Sequence, residues 1–175
     1  MENRIKNKFE RLEDSRKALI RTIDSLDESV LNKSPRPGKW SVNQIIYHLQ
    51  KSEHASYNYV TKKLQSDDPT RNGYKSKVAS FILKIAFILP FKYKAPKVVR
   101  NVPGNLDFSK VNNTWEKNRL ALWELISTLP EEIARRNIFN HPFAGRFNLL
   151  QMLTFFQDHF DRHRRQVLRI LKHQK

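Results

Sequence analysis

Apolar residues recur at steps of three, four and seven along much of the chain, which is the spacing of helices that bury one face. Four stretches show this periodicity, at about residues 3–29, 41–64, 109–129 and 148–172. No stretch alternates polar and apolar residues over the length of an ordinary strand. The pattern therefore predicts an all-α fold, an antiparallel four-helix bundle with a long crossover between the second and third helices.

The second and fourth helices have similar start signals. Ser41 is a good N-cap with Gln44 three residues later, and Asn148 with Gln151 repeats this arrangement. Each pair is framed by apolar residues at the positions of a hydrophobic staple, namely Trp40 with Ile45 and Phe147 with Met152. We expect both helices to begin at these residues. The breaker-rich residues 32–39 form the loop before the second helix.

The crossover contains a strongly apolar stretch at residues 78–89, flanked by lysines. It is too short to span a membrane as a helix, which needs about 20 apolar residues. We expect a short helix that packs on the bundle or on a second subunit, so that the chain forms a homodimer through this segment or an exposed bundle face. A helix lying in a membrane interface is the alternative.

Composition excludes several kinds of site. The 175 residues suit one domain, 1–175, and include no cysteine, so disulfides, thiolate metal sites and a cysteine nucleophile are excluded. The charged N-terminal stretch lacks the apolar core of a signal peptide, and a cytoplasmic location is the expectation.

The net charge of +16 is high and supports a rival function, a non-enzymatic basic module that contacts nucleic acid or an anionic membrane. The basic side chains that could follow phosphates are Lys92, Lys94, Lys97, Arg100, Arg162, Arg164, Arg165, Arg169, Lys172, His173 and Lys175. No helix-turn-helix spacing or RNA-recognition signature accompanies them.

Three histidines lie where a helical bundle could bring them together. His159 and His163 are four residues apart, one above the other on a helix, and they interrupt its apolar stripe. His48 lies one turn after Ile45 on the second helix and can also point inward. Neutral imidazole binds divalent transition metals, and three protein ligands leave positions open for catalysis. The residues alone also allow core histidines that are hydrogen-bonded to glutamine, aspartate or backbone.

Two segments resemble the motifs of one family. Residues 37–53, PGKWSVNQIIYHLQKSE, look like the signature second helix of DinB-like proteins, the damage-inducible superfamily that also contains bacillithiol S-transferases and mycothiol-dependent enzymes. Residues 141–147, HPFAGRF, together with residues 159–166, HFDRHRRQ, are similar to the closing motif of this family. The resemblance covers most of the chain in the same order, and residues 74–104 contribute least to it.

The resemblance implies a four-helix bundle that binds a divalent metal, zinc or nickel, through His48, His159 and His163. Glu53 and His141 match further characteristic positions, so either is a candidate proton acceptor, although Glu53 could orient a neighbour and His141 could line the site. The resemblance also implies a small-molecule substrate. The reaction would be thiol transfer or hydrolysis, and a thiol would come from a low-molecular-weight cofactor such as bacillithiol, because the chain has no cysteine.

Overall fold

The computed structural model describes residues 2–65, 102–141 and 145–173. The apolar stretch 78–89 lies outside these ranges. The described elements, in chain order, are α1 (Glu2–Ile23), α2 (Glu28–Asn32), α3 (Val42–Leu64), α4 (Phe108–Thr128), α5 (Glu131–Ala134), β1 (Phe139–His141), β2 (Gly145–Phe147) and α6 (Leu149–Lys172).

The four long helices α1, α3, α4 and α6 form the predicted four-helix bundle, with α6 packed on α1 and α3, and α4 packed on α3 and α1. Their apolar stripes meet in one core whose largest fully buried side chains include Trp115, Phe147, Phe156 and Phe160. Burial of these stripes stabilises helices that would be marginal alone. None of the helices in the described ranges has both the length and the apolar character that a bilayer crossing requires.

Both predicted capping boxes are present. The Ser41 hydroxyl accepts from the Gln44 backbone N–H at 3.2 Å, and the Gln44 side chain accepts from the Ser41 backbone N–H at 3.0 Å. Asn148 and Gln151 make the same reciprocal pair at 2.9 and 3.0 Å. These bonds fix where α3 and α6 begin, and therefore set the position of His48 and of His159 along their helices.

The first helix is shorter than the sequence predicts. Instead of running over 3–29, α1 ends at Ile23, and the backbone turns through Leu26, whose N–H donates to the Ile23 carbonyl at 3.1 Å. Extended backbone at Asp27 then opens the separate helix α2. Apolar residues continue through this turn, with Leu26 packed on the core and Leu31 buried, so periodicity alone did not reveal it.

Long-range hydrogen bonds to Glu28 account for the break after α1. One oxygen of the Glu28 carboxylate accepts from the Phe108 backbone N–H at 2.7 Å, at the first turn of α4. The other oxygen accepts from the Asn43 side chain at 3.1 Å and from the Asn32 side chain at 3.0 Å. A carboxylate at a helix N-terminus is stabilised by the helix dipole, so these contacts favour a separate α2 that presents Glu28 to α4 and α3.

A short hairpin precedes α6 and was not predicted. β1 and β2 pair antiparallel, with Phe139 opposite Phe147 and His141 opposite Gly145. Three-residue strands are too short to show alternation in the sequence. Gly145 has a φ of +77°, in the left-handed region that glycine adopts without strain. The hairpin buries His141 and Phe147 beside the start of α6.

Candidate metal centre

His48, His159 and His163 converge between α3 and α6. One nitrogen from each ring lies within 4.8 Å of the others, and the three side chains are buried. The Nε2 atoms of His48 and His159 are 3.3 Å apart. Ring centroids are separated by 5.2 Å for His48 and His159, 5.0 Å for His48 and His163, and 4.7 Å for His159 and His163. The structure thus brings together the three histidines predicted from the sequence.

Helix geometry explains this convergence. His159 and His163 are one turn apart on the buried face of α6, in line with the core residues Phe156 and Val167. His48 occupies the matching buried face of α3, next to Ile45 and Leu49, and α3 packs directly on α6. The apolar stripes that hold the bundle together therefore also bring the three imidazoles together.

Burial makes His159 and His163 poor bases. Desolvation lowers the pKa of His159 well below its usual range, and the neighbouring His163 and His48 rings lower it further. Desolvation and the His48 ring lower the pKa of His163 to about 3, although a hydrogen bond with Gln166 opposes this shift. At neutral pH both rings are uncharged, which is the form that binds a metal.

The donor set fits a divalent transition metal. All three donors are imidazole nitrogens, the ligand type that suits zinc, copper, iron and nickel. Two imidazole nitrogens bound to one zinc ion at the tetrahedral angle lie about 3.4 Å apart, and the His48 and His159 nitrogens are 3.3 Å apart. The sequence also allowed hydrogen-bonded core histidines, and the contact between His163 and Gln166 is one such bond. That bond uses Nδ1 of His163 and leaves its Nε2 for a ligand.

Aromatic rings border the three histidines on two sides. Half-buried Trp40 lies 4.8 Å from the His48 ring and stacks on the His163 ring at 6.5 Å between centroids. Half-buried Phe155 stacks on His159 at 5.5 Å, with an interplanar angle of 11°. These rings restrict the solvent that surrounds the imidazoles on these sides.

His141 lies behind Phe155. Its ring meets Phe155 edge-on at 4.5 Å and stacks on Phe147 at 5.6 Å. Desolvation lowers the pKa of His141 to about 4, so it is neutral at physiological pH and only a weak proton acceptor. This environment suits the lining role that the sequence left open for His141 better than proton transfer.

Glu53 has other partners than the histidines. Both oxygens of its carboxylate accept hydrogen bonds from Arg119, at 2.7 and 2.8 Å, and one also accepts from the Trp115 indole N–H at 2.7 Å. In the part of the chain that the structure describes, Glu53 is not in the group of side chains that could share a metal with His48. These contacts join α3 to α4.

Sequence reasoning missed three side chains of this region. Trp40 was noted only as part of a staple, although its ring contacts two histidines. Gln166 is the last residue of the motif at 159–166. It follows His163 by one turn and hydrogen-bonds the His163 ring. Arg119 is buried opposite Glu53, and its place on the apolar stripe of α4 was a signal that it had a buried partner.

Two solved structures resemble the fold. YfiT from Bacillus subtilis, described as a probable metal-dependent hydrolase with an unusual four-helix bundle topology, is 20% identical with a TM-score of 0.66, over 97% of this chain and 87% of YfiT. TT2238, described as a four-helix bundle protein, is 19% identical with a TM-score of 0.60, over 94% of this chain and 98% of TT2238. At these identities the likeness establishes the fold.

Comparison with curated proteins finds no match. The model of the DinB superfamily, by contrast, matches residues 11–167, a range that contains both capping boxes and all three histidines of the centre. Since this match covers most of the sequence, the chain belongs to the DinB superfamily.

Proposed function

We propose that the protein is a metal-dependent enzyme in which His48, His159 and His163 hold one divalent cation, zinc or nickel, for a reaction on a small molecule. The observation that carries the proposal is the meeting of three buried imidazoles, each with one nitrogen within 4.8 Å of the others. Membership of the DinB superfamily and the description of YfiT as a probable metal-dependent hydrolase support it.

The chemistry of such a centre follows from general principles. A divalent cation on three protein ligands acts as a Lewis acid that lowers the pKa of a water or thiol bound beside them. The chain itself contributes three imidazole donors on two rigid helices, so the ligands need little rearrangement. Trp40 and Phe155 cover the imidazoles on two sides.

A low-molecular-weight thiol such as bacillithiol is the proposed co-substrate. The chain has no cysteine, so the sulfur nucleophile must come from outside. In the transfer, sulfur bonds to an electrophilic carbon, a leaving group such as halide departs with its electron pair, and the thiol proton passes to solvent. The net charge of +16 favours approach of an acidic thiol.

Hydrolysis is the second candidate, favoured by the description of YfiT. In that reaction water replaces the thiol, and a small ester is the suitable substrate. Both candidates use the same three histidines, and they differ in the nucleophile and in the electrophilic substrate.

The test begins with metal analysis of protein purified without an affinity tag. Zinc- and nickel-loaded protein is then incubated with a bacillithiol-like thiol and a halogenated aromatic, and separately with an ester. We expect turnover that is lost on chelation and in His159→Ala. His173→Ala is the matched control, because His173 is exposed beyond the end of α6. Turnover that survives both chelation and His159→Ala would exclude the proposal.

The basic-module prediction is tested in the same preparation. A metal-free protein whose affinity for nucleic acid falls steeply with salt would favour that function over the enzyme. Exposed Arg164, Arg165 and Arg169 on α6 are the described side chains to replace in that case.

A further inference from the structure

The His163 ring has a hydrogen-bond partner one turn along its own helix. Its Nδ1 lies 3.1 Å from the side-chain oxygen Oε1 of Gln166. His163 is 9% exposed and Gln166 is half-buried, so the pair lies at the edge of the core. Residues three apart on a helix face the same side, which makes this contact compatible with an unstrained α6.

The chemistry of this contact fixes the position of a proton. An amide oxygen can only accept a hydrogen bond, so Nδ1 of His163 must donate and carry the ring proton. With the proton on Nδ1, a neutral imidazole carries its lone pair on Nε2. His48 and His159 already approach one another through their Nε2 atoms. The Gln166 contact therefore gives His163 the same donor atom.

We infer that Gln166 is a positioning residue of this centre, holding His163 in the Nδ1–H tautomer so that its Nε2 is available to a metal. The inference rests on the proposed metal site and adds a residue to it. Histidine ligands commonly donate their second ring N–H to an acceptor, which fixes ring orientation and raises ligand basicity, and loss of that acceptor weakens metal binding by about 10- to 100-fold.

Two substitutions separate the effect of the Gln166 hydrogen-bond acceptor from the effect of its side-chain size. Gln166→Glu keeps an oxygen acceptor at the same distance from the helix, whereas Gln166→Met keeps the length of the side chain and offers Nδ1 only a thioether sulfur, a weak acceptor. Gln157→Met is the matched control. Gln157 is also half-buried on α6, but its amide donates to Ser15 on α1 and to Asp161.

The first measurement uses the metal-free protein. Long-range proton–nitrogen NMR spectra of ¹⁵N-labelled protein at mildly alkaline pH report which ring nitrogen of each histidine is protonated, and His163→Ala identifies the His163 signals. We expect the Nδ1–H form in the wild type, in Gln166→Glu and in Gln157→Met, and its loss in Gln166→Met. A wild-type His163 protonated on Nε2, or an unchanged tautomer in Gln166→Met, would overturn the inference.

The second measurement is zinc affinity by competition with a chromophoric chelator. We expect Gln166→Met to bind about 10- to 100-fold more weakly than the wild type, with Gln166→Glu and Gln157→Met within about threefold. Equal affinity of Gln166→Met and wild type would also overturn the inference. A wild type that binds neither zinc nor nickel would defeat the proposed function instead, and the metal-free spectra would still decide whether Gln166 sets the tautomer.

Discussion

The Nε2 atoms of His48 and His159 lie 3.3 Å apart although 111 residues separate them in the chain. This approach requires both rings to turn their Nε2 edges toward the same point between α3 and α6. Both helices are fixed at their starts by capping boxes, and the packing of α3 on α6 brings the two rings together.

We predict that His159→Ala abolishes stoichiometric zinc or nickel binding and leaves the helical fold intact. Two ligands bind a metal much more weakly than three, and the bundle does not depend on this ring for its apolar core. Metal analysis after dialysis, together with circular dichroism, measures both effects. His173→Ala should retain full metal content. Full occupancy in a variant with His48, His159 and His163 all replaced by Ala would contradict the ligand assignment.

We predict that Glu53→Gln lowers the free energy of unfolding by about 3 kcal/mol, because it leaves the buried Arg119 guanidinium with Glu13, 3.7 Å away, as its remaining carboxylate partner. Urea unfolding measures the change. The double variant Glu53→Met with Arg119→Met should be more stable than either single methionine variant, since it removes both charges together.

The same variant also tests whether Glu53 contributes to metal binding. Its oxygens bond Arg119 and Trp115, so Glu53→Gln should keep wild-type metal stoichiometry. Loss of metal in a folded Glu53→Gln protein would show that Glu53 acts at the centre.

We predict that His141 makes the metal-free protein less stable in acid. Burial lowers the pKa of His141 from 6.5 to about 4. Between these values the unfolded chain is protonated at His141 and the folded chain is not. The free energy of unfolding is therefore highest above about pH 6.5. It falls by an amount on the order of 2 to 3 kcal/mol as the pH falls toward 4. Denaturant unfolding from neutral pH to about pH 4.5 measures it.

His141→Phe is the variant for this measurement, because it keeps an aromatic ring against Phe147 and Phe155. Its stability should fall less in acid than that of the wild type. The remaining fall belongs to His159 and His163, whose pKa values are also lowered by burial. Parallel curves for the two proteins would contradict the role given to His141.

We predict that Ser41→Ala and Asn148→Ala each cost about 1 kcal/mol of stability through loss of an N-cap. Each side chain accepts from a backbone N–H at the start of a bundle helix. Thermal or urea unfolding checks the values. Ser109→Ala, an exposed position in the first turn of α4, is the comparison and should change stability by less.

We predict that the protein is a homodimer held by the apolar stretch 78–89, which lies outside the described residues. Light scattering at tens of micromolar, a working range for a specific interface, measures the mass. Ile85→Lys should shift the protein toward monomer. Leu120→Lys tests the alternative, an exposed bundle face, because Leu120 is 64% exposed on α4. A monomeric wild type would exclude both forms of the prediction.

The sequence predicted the helix positions correctly where a capping signal lies at the start of a periodic apolar stripe. Both capping boxes lie at the predicted residues, and α3 and α6 end close to the predicted positions. The break after Ile23 was missed because the hydrogen bonds that Glu28 accepts from Phe108 and Asn43 join residues that are distant in the chain. The hairpin was missed because two strands of three residues give no periodic signal.

At the metal centre, too, local patterns could be predicted and contacts between distant residues could not. His159 and His163 were found because four-residue spacing on a helix is a local pattern, and His48 because it lies one turn after Ile45 on the second helix. Their meeting at one point needed the packing of α3 on α6, which spacing does not contain. The partner of Glu53 could not be predicted either, because Arg119 lies on another helix, 66 residues away.

The contacts of Glu28, Asn32 and Asn43 have a consequence for how this chain can vary. The Leu106 carbonyl accepts from the Asn32 and Asn43 side chains at 2.9 Å each, and Glu28 accepts from the N–H of Phe108, so the start of α4 is fastened to α2 and α3. The position at which α4 begins is therefore set by contacts with residues of α2 and α3. A substitution at Glu28 or Asn43 should thus move the start of α4, although neither residue lies on that helix.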